Sequence, residues 1–81
     1  MNGPPEWYRR VQAERRALEE GGIPKTGDAT GWIIMIQNNV GKAMKAFADG
    51  DDRDARKFLY RLAALGTLWA ELLVDDEEPL K

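Results

Sequence analysis

Apolar residues recur at helical spacing in three segments of this chain, and two stretches rich in glycine, proline and aspartate separate the segments. The first segment spans residues 5–20, and a Gly-Gly-x-Pro run at 21–24 ends it, because proline cannot continue a helical hydrogen-bond ladder. The apolar positions of this predicted helix form one narrow stripe: Trp7, Val11 and Leu18. Glu14 lies within the same stripe, where a carboxylate needs a partner.

The second segment predicts a helix over residues 31–48, with Asp28 or Thr30 as its N-cap. One broad apolar face is predicted to be its buried side: Trp32, Ile33, Ile36, Val40, Ala43, Met44 and Phe47. Ile34 and Met35 lie outside that face, and we interpret them as candidate contacts with another protein.

The third segment predicts a helix over residues 52–73, and the acidic run at 49–52 supplies its N-cap. Its predicted inward face is Ala55, Phe58, Leu59, Leu62, Gly66, Trp69 and Leu73. Gly66 is expected to have a packing reason, such as a close approach of Trp69 or of helix 2. A second, weaker stripe indicates that this helix is covered on two sides, and it is a further candidate partner contact: Tyr60, Ala64 and Leu68.

These patterns predict a single all-α domain over residues 1–81, in which helices 2 and 3 form a long antiparallel hairpin. A chain of 81 residues buries only about 60 to 65% of its unfolded surface, so its own core is small. Dimerisation of two hairpins into a four-helix bundle is the simplest way to enlarge it, and we expect a homodimer.

Composition excludes several classes of function. The chain has no cysteine and no histidine, which excludes disulfides and removes the commonest zinc ligands and general base. No apolar run approaches the roughly 20 residues of a membrane-spanning helix, so we expect a cytoplasmic protein without a membrane partner. The net charge of -2 comes almost entirely from acids at 75–78, in a segment, 75–81, expected to be a disordered acidic tail. The nearly neutral body argues against nucleic-acid binding.

Several segments together resemble the small MazG-like proteins found in phages and mobile elements, over roughly residues 8–73. The resemblance rests on these residues: Val11-Gln12-Ala13-Glu14-Arg15, Gly31-Trp32, the run from Ile36 through Val40-Gly41, Leu59-Tyr60-Arg61-Leu62-Ala63-Ala64, and Trp69. It implies an all-α nucleoside triphosphate pyrophosphohydrolase fold that assembles as dimers or tetramers. In that family, carboxylates on helices 2 and 3 bind the magnesium that activates water.

The magnesium-binding carboxylates of that family are replaced in this sequence. The motif on helix 2 reads Asn38-Asn39-Val40-Gly41-Lys42, and the acidic pair expected on helix 3 corresponds to Lys57-Phe58. Amides carry no charge, and an ammonium at about 4 Å repels a divalent ion by several kcal/mol. The sequence therefore predicts a degenerate site at Asn38, Asn39, Lys42, Lys57 and Phe58, without metal, cofactor or enzymatic activity. An ion pair between Lys42 and Glu14 is expected to replace the metal structurally.

Two functions from different classes remain open, beside a purely structural helical oligomer. The first is a non-catalytic protein that acts through protein contact; the resemblance implies a phage or mobile-element inhibitor or modulator of a host protein. The alternative is a nucleotide-binding or sequestering protein, or one with residual pyrophosphohydrolase activity, in which Lys42, Lys57 and Arg61 contact phosphates.

Overall fold

The computed structural model describes residues 3–25 and 28–74, and the regular structure within them is entirely helical. The helices are α1 (Glu6–Gly21), α2 (Ala29–Ala48) and α3 (Asp52–Val74). The prediction of an all-α chain with three helices is therefore confirmed. The acidic tail expected at 75–81 lies outside the described residues.

The helices begin and end close to the predicted positions, and local sequence supplies caps at the end of α1 and at the start of α3. At the end of α1, Gly22 has a φ of 99° and its amide donates to the Leu18 carbonyl at 3.0 Å. Between α2 and α3, Gly50 has a φ of 76°, a value that glycine adopts without a steric cost. The amide of Asp54 then donates to Asp51 Oδ1 at 3.0 Å, so an acid of this turn caps α3 as predicted.

α3 is the central helix, because it contacts α2 along one side and α1 along another. The α2–α3 pair is an antiparallel hairpin: Phe58, near the start of α3, lies beside Lys42, near the end of α2. At the opposite end of the hairpin, Trp32 stacks on Trp69. Since the chain reverses direction twice, α1 runs parallel to α3. The prediction that this helix is covered on two sides is confirmed.

A small apolar cluster at one end of the hairpin is the centre of the core. Trp32 and Leu65 are fully buried, and Leu68 is nearly so. The Trp32 and Trp69 rings stack in parallel with centroids 6.1 Å apart. The half-buried residues that pack around the cluster are Leu18, Ile23, Met35, Ile36, Trp69 and Leu72.

Away from that cluster, the buried apolar residues are mostly alanines. The other buried apolar residues among those described are Val11, Ala43, Ala46, Ala55 and Ala64. Alanine lets helices approach closely but buries little apolar area, and hydrophobic stabilisation scales with the buried area. The turn end of the hairpin therefore gains little from its own packing.

The prediction of one broad buried face on α2 is wrong for about half of that face, which is exposed. Ile33, Val40, Met44 and Phe47 are 42%, 39%, 65% and 54% exposed. The apolar arc of α2 is wider than one neighbouring helix can cover, and α3 covers only the flank that carries Trp32.

Three further expectations about burial are wrong. Trp7 is 57% exposed and Leu59 is 47% exposed, although both belong to predicted inward stripes. Gly66 is exposed, and apart from its chain neighbours and the backbone of its own helix no described atom lies within 4 Å of the position that a Cβ would take there. Close approach of a neighbour therefore does not explain this glycine in the described chain.

Candidate functional site

A line of exposed apolar side chains runs along the α2–α3 hairpin. We call it the hairpin face; its members are Ile33, Val40, Met44 and Phe47 of α2 and Leu59 of α3. The α2 members recur at intervals of seven, four and three residues, which places them in one stripe of that helix. Side chains that are 39 to 65% exposed in one continuous stripe mark a contact surface rather than scattered surface residues.

The hairpin face points away from α1. Lys42 lies over the Phe58 ring together with Arg61, and Arg61 pairs with Glu14 of α1, so this flank of the hairpin faces α1. Residues two apart in a helix point about 200° apart. Val40 and Met44 are each two residues from Lys42, and they therefore lie on the opposite flank.

The same argument places Leu59 on that side of the hairpin. Leu59 precedes Arg61 by two residues and therefore points away from α1, as Val40 and Met44 do. Both helices thus contribute exposed apolar side chains to the same side of the hairpin.

α2 also lacks the charged outer face that a surface helix normally has. None of residues 29–41 is Asp, Glu, Lys or Arg, and the charged residues of this helix are Lys42 and Lys45. A helix without charge around most of its circumference is typically buried on more than one side. This absence of charge is visible in the sequence, but the prediction of a single buried face for α2 did not take it into account.

On the opposite flank of the hairpin, three cations surround one aromatic ring. Lys57 Nζ, Lys42 Nζ and Arg61 Cζ lie 5.5, 5.8 and 5.8 Å from the Phe58 ring centroid. Each distance is within the range of a cation–π interaction. The structure thus brings together the three residues that sequence reasoning offered as phosphate contacts.

The acid beside this cation cluster pairs with arginine and not with lysine. Glu14 Oε1 accepts a hydrogen bond from Arg61 Nε at 2.9 Å, and both side chains are partly buried. The expected Glu14–Lys42 ion pair is therefore wrong. Arg61 points toward α1 from the central helix, whereas Lys42 reaches across the α2–α3 seam to Phe58.

A shallow pocket of about 240 Å³ adjoins the cluster at the turn between α2 and α3. Its lining residues are Lys42, Lys45, Ala46, Asp49, Asp51, Asp54 and Phe58. Lys45 Nζ lies 3.3 Å from Asp49 Oδ2, and Asp51 caps α3. Two lysines among three aspartates give this pocket no net positive charge.

The two asparagines of the degenerate motif lie in different environments. Asn38 is exposed, whereas Asn39 is buried between α2 and α3 and its Nδ2 donates to the Met35 carbonyl at 2.8 Å. The Asn39 Oδ1 atom is buried and has no hydrogen-bond partner among the described residues. Asn39 therefore offers one neutral oxygen, three residues along the chain from the ammonium group of Lys42. This is a poor set of ligands for Mg²⁺, which prefers several anionic oxygens.

Acidic side chains do not supply the missing ligands elsewhere in the described part of the chain. Over residues 3–25 and 28–74, no three or more Asp and Glu side chains are grouped so that they could hold a metal ion. The donor set therefore does not fit the magnesium that the resemblance implies.

The residues predicted to contact a partner separate into two groups. Ile34 is 59% exposed, and Tyr60 is half-buried with the Arg10 guanidinium 5.1 Å from its ring centroid. Met35 packs against the core cluster, and Ala64 and Leu68 are 0% and 5% exposed. Met35, Ala64 and Leu68 are therefore not available as contacts with another protein, because α1 and the core cover them.

The outer side of α1 carries a second shallow depression, of about 370 Å³. Its lining residues are Pro4, Tyr8, Arg9, Gln12, Ala13 and Arg16. Arg15, on the inner side of α1, pairs with Glu71 at 2.6 Å. This surface lies on the side of the molecule opposite the hairpin face.

Within the described residues, no helix combines the length and apolarity that crossing a bilayer requires. Comparisons of the chain with models of protein families, with curated proteins and with solved structures give no match.

Proposed function

We propose that this chain is a non-catalytic helical protein that acts through protein contact, and that the hairpin face is its contact surface. The observation that carries the proposal is the exposed apolar stripe on an almost uncharged helix. Large apolar patches on small domains are characteristic of protein interfaces. Dimerisation into a four-helix bundle is one way to cover this face. Inhibition or modulation of a host protein by a phage or mobile-element product is the role that the family resemblance adds.

The contact surface is tested by comparing two glutamate substitutions on α2. Met44→Glu places a charge in the hairpin face, whereas Ile34→Glu places one at an equally exposed position outside it. A protein that immobilised wild type retains should also be retained by Ile34→Glu and lost by Met44→Glu, because a buried unpaired charge opposes association. Equal retention by all three proteins contradicts the proposed surface.

The non-catalytic part is tested separately with nucleoside triphosphates. The purified chain should release no pyrophosphate above the buffer rate, with or without magnesium, because amides and an ammonium replace the metal-binding acids. Pyrophosphate release that requires magnesium, stops on chelation and is abolished by Asn39→Ala would contradict the proposed absence of catalysis. It would not affect the proposed contact surface.

A second candidate function is metal-independent binding of phosphate groups at the cation cluster around Phe58. Lys42, Lys57 and Arg61 converge there, and among acids of the described residues a hydrogen bond is made only to Arg61. Lysines without a paired acid can bind phosphate oxygens as point charges. The neighbouring aspartates of the turn make this candidate the weaker of the two.

Thermal denaturation in the presence of nucleoside triphosphates distinguishes the two candidates. Phosphate binding predicts that the Tm rises with ligand concentration, equally with and without magnesium, and that Lys42→Ala together with Lys57→Ala removes the rise. A Tm that does not change with ligand leaves protein contact as the function of the chain.

A further inference from the structure

We infer that the acidic segment 75–78, which follows α3 in the chain, binds to the outer side of α1, and that Arg9 and Arg16 hold its carboxylates. The outer side of α1 is the surface around the depression of about 370 Å³ that these two arginines line together with Tyr8 and Gln12. It lies opposite the hairpin face, so this inference is independent of the proposed function. The occupant is a part of the same chain.

The first argument is that the two arginines have no acidic partner within the described part of the chain. Arg9 and Arg16 are exposed and form no ion pair there, whereas the other two arginines of α1 pair with Glu6 and Glu71. Seven residues separate Arg9 from Arg16, which places them on one side of the helix, about 10 Å apart along its axis. Both guanidinium groups are therefore available to acids from elsewhere in the chain.

The second argument is the distribution of charge. The chain has a formal net charge of -2, and the four acids at 75–78 contribute -4, so the rest of the chain carries +2. Glu19 and Glu20 are exposed in the last turn of α1, and they repel the segment from that end of the helix. Arg16 and Arg9 are the next charged residues on the outer side, and hydrogen bonds between guanidinium and carboxylate groups are among the strongest in proteins.

The third argument is that the segment is long enough to reach both arginines. Arg15 Nη2 lies 2.6 Å from Glu71 Oε1, so the last turns of α3 pass beside the residue that precedes Arg16. α3 ends three residues after Glu71, and Arg9 lies six residues before Arg15, a separation of roughly 14 Å along the parallel helix axes. Four extended residues span about 13 Å, which brings their carboxylates beside both arginines.

The inference is tested in the full chain by paramagnetic relaxation enhancement, which is direct because the chain has no cysteine of its own. A nitroxide attached through Leu80→Cys follows the segment without removing any of its acids. It should broaden the amide resonance of Gln12, on the outer side of α1, more strongly than that of Ile33 on α2. The two amides are matched, because the Arg15–Glu71 and Trp32–Trp69 contacts place them at about the same level of α3.

Arg9→Gln together with Arg16→Gln should abolish the difference in broadening between the two amides. Salt at about 1 M should abolish it too, without any substitution, because the Debye length falls to about 3 Å. The matched control is Arg53→Gln together with Arg56→Gln, two exposed arginines near the start of α3. This variant has the same net charge as the first one and should retain the difference.

Equal broadening of Gln12 and Ile33 in the otherwise unchanged chain overturns the inference, and so does a difference that survives the loss of both α1 arginines. A mixture in which separate chains carry the nitroxide and the nitrogen-15 label should show no broadening. If Gln12 is broadened in that mixture, the segment binds to α1 of another copy, which contradicts binding within the chain.

Discussion

Asn39 is a buried amide whose carbonyl oxygen accepts no hydrogen bond within the described residues. Its Nδ2 donates to the Met35 carbonyl of the preceding turn, while Oδ1 is buried without a partner in the part of the chain that the structure describes. A buried acceptor without a donor costs about 1 to 3 kcal/mol. The neighbouring Asn38 is exposed and carries no such cost, so the two adjacent residues respond differently to the same substitution.

We predict that Asn39→Asp lowers the free energy of unfolding at neutral pH by about 2 kcal/mol, because the introduced carboxylate is buried and cannot donate to the Met35 carbonyl. Burial raises the folded-state pKa of the introduced carboxyl above its unfolded value of about 3.9. The loss is therefore complete above the folded-state pKa and disappears below the unfolded pKa. Urea denaturation between pH 3 and pH 8 measures it.

Asn38→Asp is the matched control for this experiment, since it makes the same chemical change on the exposed side of α2. Its stability relative to wild type should change little over the same pH range. A pH dependence that is equal in both variants would show that Asn39 is not buried as described.

The Glu14–Arg61 ion pair predicts a measurable coupling between α1 and α3. A double-mutant cycle with Glu14→Gln and Arg61→Gln should give a coupling free energy of about 1 kcal/mol, because the partly buried pair is held by a hydrogen bond of 2.9 Å. The parallel cycle of Glu14→Gln with Lys42→Gln should be additive within about 0.5 kcal/mol. If Glu14 couples to Lys42 and not to Arg61, the ion pair that the sequence predicts between Glu14 and Lys42 is correct instead.

At the scale of the helices, Gly66 weakens α3 without a visible packing reason in the single chain. A Cβ at this position would meet no atom within 4 Å, and glycine inside a helix costs about 1 kcal/mol relative to alanine. We predict that Gly66→Ala raises the free energy of unfolding by up to about 1 kcal/mol when measured in the Met44→Glu background. That background removes any contribution of the proposed dimer.

Gly31→Ala serves as the contrasting substitution on α2. A Cβ at Gly31 would lie 3.0 Å from Pro24 Cγ, so the gain in helix propensity is offset by a contact that forces the preceding loop to move. Chemical denaturation should show no gain for this variant. If Gly31→Ala stabilises the chain as much as Gly66→Ala, the loop does not pack on α2 as described.

At the scale of the whole molecule, the proposed dimer makes thermal stability depend on protein concentration. A hundredfold increase in concentration should raise the Tm of wild type by about 5 °C, because association stabilises only the folded state. Differential scanning calorimetry over that range measures the change. The Tm of Met44→Glu should be independent of concentration, and a concentration-independent Tm for wild type would contradict a dimer.

The sequence by itself determined the three helices and their ends. Local features suffice for this: the glycine pair that ends α1, the aspartate that caps α3, and apolar residues at helical intervals within each segment. It also determined that α3 has two apolar sides, since its second stripe is readable from spacing alone. These properties depend on interactions between residues a few positions apart.

Only the tertiary structure decided which apolar residues are buried. Helical periodicity places Trp32 and Val40 on the same broad face, but the position of α3 buries the first and leaves the second exposed. It likewise paired Glu14 with Arg61 and gathered three cations around Phe58. Periodicity gives the direction of a side chain relative to its own helix, whereas burial and pairing depend on where the neighbouring helices lie.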